Sequence, residues 1–148
     1  MSWSPHVTVA AIAERQGRFL MVEERTGDGI RLNQPAGHLE AGESLLQAVI
    51  RETREETAQH FRPRHLVGVY RWRVPPDGVT YLRFCFAGDI AGEVPDQARD
   101  PEILATHWLS HGQLTARRAE LRSPLVLRCI DDWRSGRRHS LELLHEVE

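Results

Sequence analysis

Gly37-His38-Leu39-Glu40-Ala41-Gly42-Glu43 runs on through Ser44-Leu45-Leu46-Gln47-Ala48-Val49-Ile50 into Arg51-Glu52-Thr53-Arg54-Glu55-Glu56. A glycine-bearing turn leads straight into a segment that reads as a helix from Ser44 to Thr57. Glu52 and Glu56 are four residues apart with Glu55 between them. At about 3.6 residues per turn the three project from one side, within an arc of about 100°. Leu46, Val49, Ile50 and Thr53 fall on the opposite side, which a core would cover. Like charges at this spacing repel, weakening a helix by roughly a few tenths of a kcal/mol per pair. A solvated acidic face leaves that repulsion standing, whereas a bound divalent cation removes it. Mg²⁺ suits the role, being a hard ion held jointly by carboxylate oxygens and substrate phosphates.

The spacing itself is specific. Gly37, five residues, Glu43, seven residues, then Arg51-Glu52 and Glu55-Glu56 fix six positions within twenty. This pattern resembles the Nudix box, here residues 37–59, of the hydrolases that cleave diphosphate bonds. The resemblance implies a Nudix fold, an α/β/α sandwich with a mixed β-sheet, and Mg²⁺ (or Mn²⁺ in its place) as cofactor. It also implies that Gly37, Glu52, Glu55 and Glu56 form the metal site, the glycine through its carbonyl, and that the three glutamates activate water. Arg51, at (i, i+4) from Glu55, would hold that carboxylate in one rotamer, while Glu43 braces the glycine turn. Ala58 and Gln59 depart from the pattern, which has a glycine and an apolar residue there. Alanine in a left-handed cap costs about 1 kcal/mol, so the helix is expected to continue through Gln59 or His60.

At 148 residues the chain reads as one domain, able to bury roughly 70% of its unfolded surface. A net charge of −2 and pI near 6.4 give no electrostatic case for nucleic acid or an anionic membrane. The longest apolar run, Val9 to Ala13, is too short to span a bilayer. Cys85 and Cys129 read as reduced core thiols, which suits a cytoplasmic protein. The start, Met1-Ser2-Trp3-Ser4-Pro5, lacks the charged and apolar regions of a secretion signal. A monomer or homodimer acting on a small diphosphate or nucleotide is the expected form.

Along the chain, His6–Glu14 and Arg18–Arg25 read as a hairpin around Gln16-Gly17. Arg31–Pro35 is an extended approach to the glycine turn, since Pro35 disfavours helix at Gln34. Pro63 is expected to end any helical continuation. Strands follow at His65–Val74 and Thr80–Ile90, separated by Pro75-Pro76-Asp77-Gly78. Ala91–Pro101 reads as a polar loop and Leu104–Leu109 as a last strand. Helices are expected near Gly112–Ala119 and Ser123–Arg134, and the polar tail after Gly136 is expected to fray. Strands, helix, strands and helix in that order argue a mixed α/β sandwich.

Cleaving a diphosphate brings water onto a phosphorus already ringed by negative oxygens, so a proton acceptor is needed beside the metal site. Glu102, six residues before Trp108, matches the position of a catalytic glutamate in some family members; as a sequence feature it also reads as a loop acid. His6, Arg71, Trp72, Arg83 and Arg122 are the candidates for holding substrate. An arginine within an apolar strand is costly to bury unpaired, so Arg83 faces either a carboxylate or a ligand phosphate. Trp72 reads as a ring-stacking residue or as partly buried core.

A narrower resemblance runs along most of the chain. Pro35-Ala36-Gly37-His38-Leu39-Glu40, Pro5-His6-Val7-Thr8-Val9-Ala10, Leu82-Arg83-Phe84 and Leu121-Arg122-Ser123-Pro124-Leu125-Val126 are similar to the NudJ-type branch. That branch removes phosphate from hydroxymethylpyrimidine diphosphate, thiamine diphosphate and nucleoside di- and triphosphates. Other members of the family act on dinucleotides and nucleotide sugars, and a non-catalytic nucleotide-binding module is the rival of another class. The isoprenoid isomerase of the same fold is set aside because its cysteine and tryptophan motifs are missing.

Overall fold

The computed structural model describes residues 2–147. Strands β1 (His6–Arg15) and β2 (Arg18–Thr26) form the expected hairpin, with Gln16 and Gly17 both at positive φ in the turn. β3 (Gly29–Asn33) pairs back onto β2, and β4 (Ala36–His38) crosses to pair with β1. Helix α1 (Leu45–Thr57) precedes two long strands, β5 (Gln59–Arg73) and β6 (Thr80–Glu93). β7 (Ile103–Ser110), α2 (His111–Ala116) and α3 (Leu125–Arg134) follow. β1 and β6 run parallel, with Val9 opposite Phe84, and the other strand pairings are antiparallel. The result is one mixed seven-stranded sheet in the order β3-β2-β1-β6-β5, with β4 added to β1 and β7 to β2.

Helices cover both faces of this sheet. β1 is buried on both sides from Thr8 to Ala13, which is why its sequence is a continuous apolar run and not an alternating one. Val9, Ala11, Phe61 and Phe86 pack with Ala48 and Val49 of α1. On the other face Ala10, Ile12, Cys85 and Ala87 pack with Leu114 of α2 and with Val126, Cys129 and Ile130 of α3. This is the expected α/β/α sandwich. Among the described residues no helix is long and apolar enough to cross a membrane.

Local chemistry fixes where α1 begins. The Ser44 hydroxyl accepts the Gln47 N–H at 3.1 Å and the Gln47 side chain accepts the Ser44 N–H at 2.8 Å. Such a reciprocal cap satisfies two otherwise orphaned donors and contributes about 1 kcal/mol.

Three expectations are corrected. α1 does not run on to Gln59 or His60. It stops at Thr57, and Ala58 takes the left-handed cap conformation (φ 58°, ψ 26°) with its N–H donated to the Arg54 carbonyl. The Ala58 carbonyl accepts the Val94 N–H at 2.9 Å, so pairing of the two long strands imposes the break that glycine would have made easily. Pro63 ends no helix. It lies inside β5 at a register shift, where an edge strand tolerates a missing N–H. The tail after Gly136 is held as far as Leu144: His139 and Leu66 exchange backbone hydrogen bonds of 2.8 and 2.9 Å, and Leu141 and Leu144 pack on the α1-side core.

Candidate active site

Arg51 ties the glycine turn to the helix. Its guanidinium donates to both oxygens of Glu43 (2.7 and 3.0 Å), to the His38 carbonyl (2.9 Å), to Glu52 (2.7 Å) and to Glu55 (3.3 Å). Glu43 in turn accepts the Glu40 N–H at 2.8 Å. Hydrogen bonds donated by Arg51 hold the Glu43 carboxyl below its ordinary pKa, and by accepting them Glu43 raises that of the guanidinium, which stays protonated. Glu43 thus braces the turn, and Arg51 fixes two glutamates at once.

Glu52, Glu55 and Asp100 converge. One carboxylate oxygen from each lies within 4.8 Å of the others. Asp100 arrives from the segment before β7, where its N–H donates to the Glu55 carbonyl at 2.9 Å. Burial pushes the carboxyls of Glu52 and Asp100 above their ordinary values. Arg51 partly offsets the rise for Glu52, and Glu102 adds to it for Asp100. Glu56 lies beside this trio and accepts the Ala36 N–H at 2.8 Å. It is 6% exposed, and burial raises its carboxyl well above the usual range, with repulsion from Glu24, Glu52 and Asp100 adding to the shift. An all-oxygen, strongly anionic donor set whose charges are poorly solvated fits a hard divalent cation. Gly37 abuts this cluster so closely that a Cβ there would collide with the Glu52 carboxylate. Glycine is needed here for close approach.

A cavity of about 340 Å³ opens beside Gly37 on the other face of the sheet. Thr8, Arg83 and Tyr81 on β1 and β6, with Trp72 on β5, supply its floor. Glu24, Asn33 and Arg122 line it as well. Arg83 is 6% exposed, donates from Nη1 to Gln34 at 2.8 Å, and leaves its Nε without a partner. The Thr8 hydroxyl is also buried without a partner. Trp72 and Tyr81 stack, with ring centroids 6.1 Å apart and planes 13° apart. Arg122 pairs with Glu24 at 3.2 Å. His6 lies outside the lining and meets His38, which lines it, at a ring-nitrogen distance of 3.0 Å. Arg71 alternates to the opposite face from Trp72 and is exposed. Of the substrate-holding candidates, Trp72, Arg83 and Arg122 are brought together, His6 borders them, and Arg71 is not part of the cavity.

Residues 4–129 match the family model of the NUDIX domain. The chain belongs to the Nudix family. It is 40% identical over 142 residues to the phosphatases NudJ of Shigella boydii and Escherichia coli, covering 96% of this chain and 92% of each of those. It is also similar to the solved NUDIX hydrolase of Nitrosomonas europaea, at 45% identity and TM-score 0.93, covering 97% of this chain and 98% of that one. The protein is therefore a Nudix hydrolase acting on phosphorus anhydrides.

Several residues of this Nudix site escape a reading of the sequence. Asp100 stands more than forty residues beyond the box and inside a polar loop, where nothing in its spacing links it to α1. Thr8 and Glu24 sit in strands built largely of core residues, and only the pairing of β1 with β4 and β6 places Thr8 beside both His38 and Arg83. A polar residue interrupting an apolar strand was the one available signal, and it served for Arg83 but is weaker for a threonine.

Proposed function

We propose that this Nudix hydrolase is Mg²⁺-dependent, with Mn²⁺ able to substitute, and releases the terminal phosphate from hydroxymethylpyrimidine diphosphate, thiamine diphosphate and nucleoside di- and triphosphates. One observation carries the reading. The cavity lined by a stacked aromatic pair and by the buried cation Arg83 borders Gly37, the residue that touches the carboxylate cluster. A ligand with an aromatic ring at one end and a diphosphate at the other fits that layout.

Glu52, Glu55 and Asp100, with Glu56 and the Gly37 carbonyl beside them, would hold the cation. When bound, the ion neutralises the phosphate oxygens and acidifies water. Arg51 keeps Glu52 and Glu55 in place, and Glu56 steadies the Ala36–Gly37 backbone. Arg83 sets its positive charge toward the phosphate end, Trp72 flanks the ring, and Arg122 and His6 complete the rim through Glu24 and His38. Glu102, exposed and close enough to Asp100 to raise the Asp100 pKa, would take the proton of the attacking water. The NudJ phosphatases support the substrate class as relatives; the geometry supports the division into ring and phosphate ends.

Steady-state hydrolysis with Mg²⁺ and with Mn²⁺ tests this across thiamine-pathway diphosphates, nucleoside triphosphates, dinucleotide polyphosphates, ADP-ribose and nucleotide sugars. Terminal phosphate release with the highest kcat/KM in the first two groups is the expected result. A higher kcat/KM for ADP-ribose, a dinucleotide or a nucleotide sugar overturns the substrate reading. Full activity in chelator overturns the metal reading.

A further inference from the structure

We infer that Glu24 is the specificity-determining residue of the cavity, accepting a hydrogen bond from the exocyclic amino group of the substrate's heterocycle and so selecting amino-bearing rings over their carbonyl counterparts. The inference rests on the cavity being the substrate site. Glu24 is 9% exposed and lines that cavity. Both of its side-chain partners, Asn33 Nδ2 at 3.3 Å and Arg122 Nη1 at 3.2 Å, donate to the same oxygen, Oε1. Among the described residues Oε2 accepts from none, yet it is not among the buried atoms sealed off without a partner. Oε2 therefore keeps some exposure, on a residue that lines the cavity.

The surrounding chemistry makes that oxygen distinctive. Arg83 Nε and the Thr8 hydroxyl are sealed off from the cavity, and Arg83 and Arg122 are cations that can only donate. None of these groups competes with Glu24 for a donor on the ligand. Asn33 is spent on both sides, its Oδ1 accepting the Gln34 N–H at 2.9 Å and its Nδ2 donating to Glu24. Glu24 Oε2 is thus a buried, charged acceptor facing a ligand, and a charged acceptor demands an N–H or O–H opposite it. The aromatic pair of Trp72 and Tyr81 supplies ring contact in the same cavity, so the donor belongs to a ring of the aminopyrimidine or aminopurine type. A carbonyl at that position would set lone pair against carboxylate, and a site built to bond a donor rejects a ligand lacking it.

Glu24→Gln tests this, because the amide keeps one acceptor for Asn33 and Arg122 and turns the other atom into a donor. The readout is the ratio of kcat/KM for CTP over UTP and for ATP over ITP, taken within each preparation so that loss of folded protein cancels. Wild type should prefer the amino partner by about tenfold or more, and Glu24→Gln should shrink or invert both ratios by about tenfold. If the variant does not fold, Glu24→Asp, which withdraws the carboxylate by one methylene, is expected to shrink the same ratios. The inference is overturned if the ratios are unity in wild type, or if Glu24→Gln slows all four substrates equally. A change in the CTP over dCTP ratio alone would assign Glu24 to a ribose hydroxyl and also overturn it. Failure of wild type to hydrolyse any nucleotide or aminopyrimidine diphosphate would instead overturn the underlying reading of the site.

Discussion

Gly37 and the carboxylate of Glu52 touch with no room for a methyl group between them. The glycine turn and the acidic helix are therefore one unit, and the contact joins the cavity to the carboxylate cluster. Gly37→Ala must displace Glu52, Gly37 or both. The variant should keep its circular-dichroism spectrum while kcat/KM falls about a hundredfold, the scale of a 1 Å misplacement at a reacting centre. Near-native activity would mean that the observed position of Glu52 is not the working one.

Asp100 joins Glu52 and Glu55 from a separate segment. Asp100→Asn should weaken Mn²⁺ binding, read by titration calorimetry, by roughly ten- to a hundredfold, the scale of one charge-assisted contact. Glu102→Gln should leave that affinity nearly unchanged and lower kcat instead. Equal Mn²⁺ affinity in Asp100→Asn and wild type would remove Asp100 from the metal set.

The burial of Glu56 carries a stability signature in the metal-free protein. Its folded pKa lies well above the ordinary carboxyl value of 4.5, so the folded state holds the proton more tightly than the unfolded chain. That contribution is full below the unfolded value and is lost as pH rises through the folded one. Glu43 and Glu120 shift the opposite way, so the comparison is with Glu56→Gln, whose amide oxygen can still accept from Ala36. The Tm of wild type minus that of Glu56→Gln should fall as pH rises from about 4.5 toward neutrality. Mg²⁺ should shrink the gap at neutral pH by binding the wild-type cluster, and Glu56→Gln should lack turnover. A flat difference curve would mean that the Glu56 carboxyl is not perturbed.

Helix α1, its acidic face and both flanking layers were legible because their signals are local: a capped amphipathic period, a glycine turn and β-branched runs. The failures were of two kinds. Ala58 and Pro63 were read by intrinsic preference, and tertiary pairing overrode it, since β5 must start at Gln59 to match β6 out to Glu93. Asp100, Thr8 and Glu24 were missed because their roles come from sheet order and loop placement, which no spacing along the chain encodes. The cost of burying an unpaired guanidinium singled out Arg83, which does line the cavity, but its side-chain partner is the Gln34 amide and not a carboxylate.

The left-handed Ala58 offers a test of the first kind. Its φ of 58° costs an alanine about 1 kcal/mol relative to glycine. Ala58→Gly should therefore raise Tm with kcat/KM unchanged, despite the greater freedom that glycine gives the unfolded chain. A fall in Tm would show that the pairing with Val94 relieves the strain.

Trp72 is the last residue whose role can be isolated. It stacks on Tyr81 in the cavity, and Tyr81 alone cannot replace the area it presents. Base–aromatic stacking is worth about 1–3 kcal/mol per base, so Trp72→Ala should raise KM for a nucleoside triphosphate or thiamine diphosphate by roughly tenfold or more. Because Trp72 touches neither Arg83 nor the carboxylate cluster in the proposed division of the site, kcat should change little. Tripolyphosphate has no ring, and any slow hydrolysis of it should be equal in wild type and variant. If KM for the ring-bearing substrates stays the same, Trp72 is core and the ring binds elsewhere. If tripolyphosphate hydrolysis falls in parallel, the substitution has disturbed the sheet, and Tyr81→Leu, which removes the other half of the stack, becomes the variant that decides.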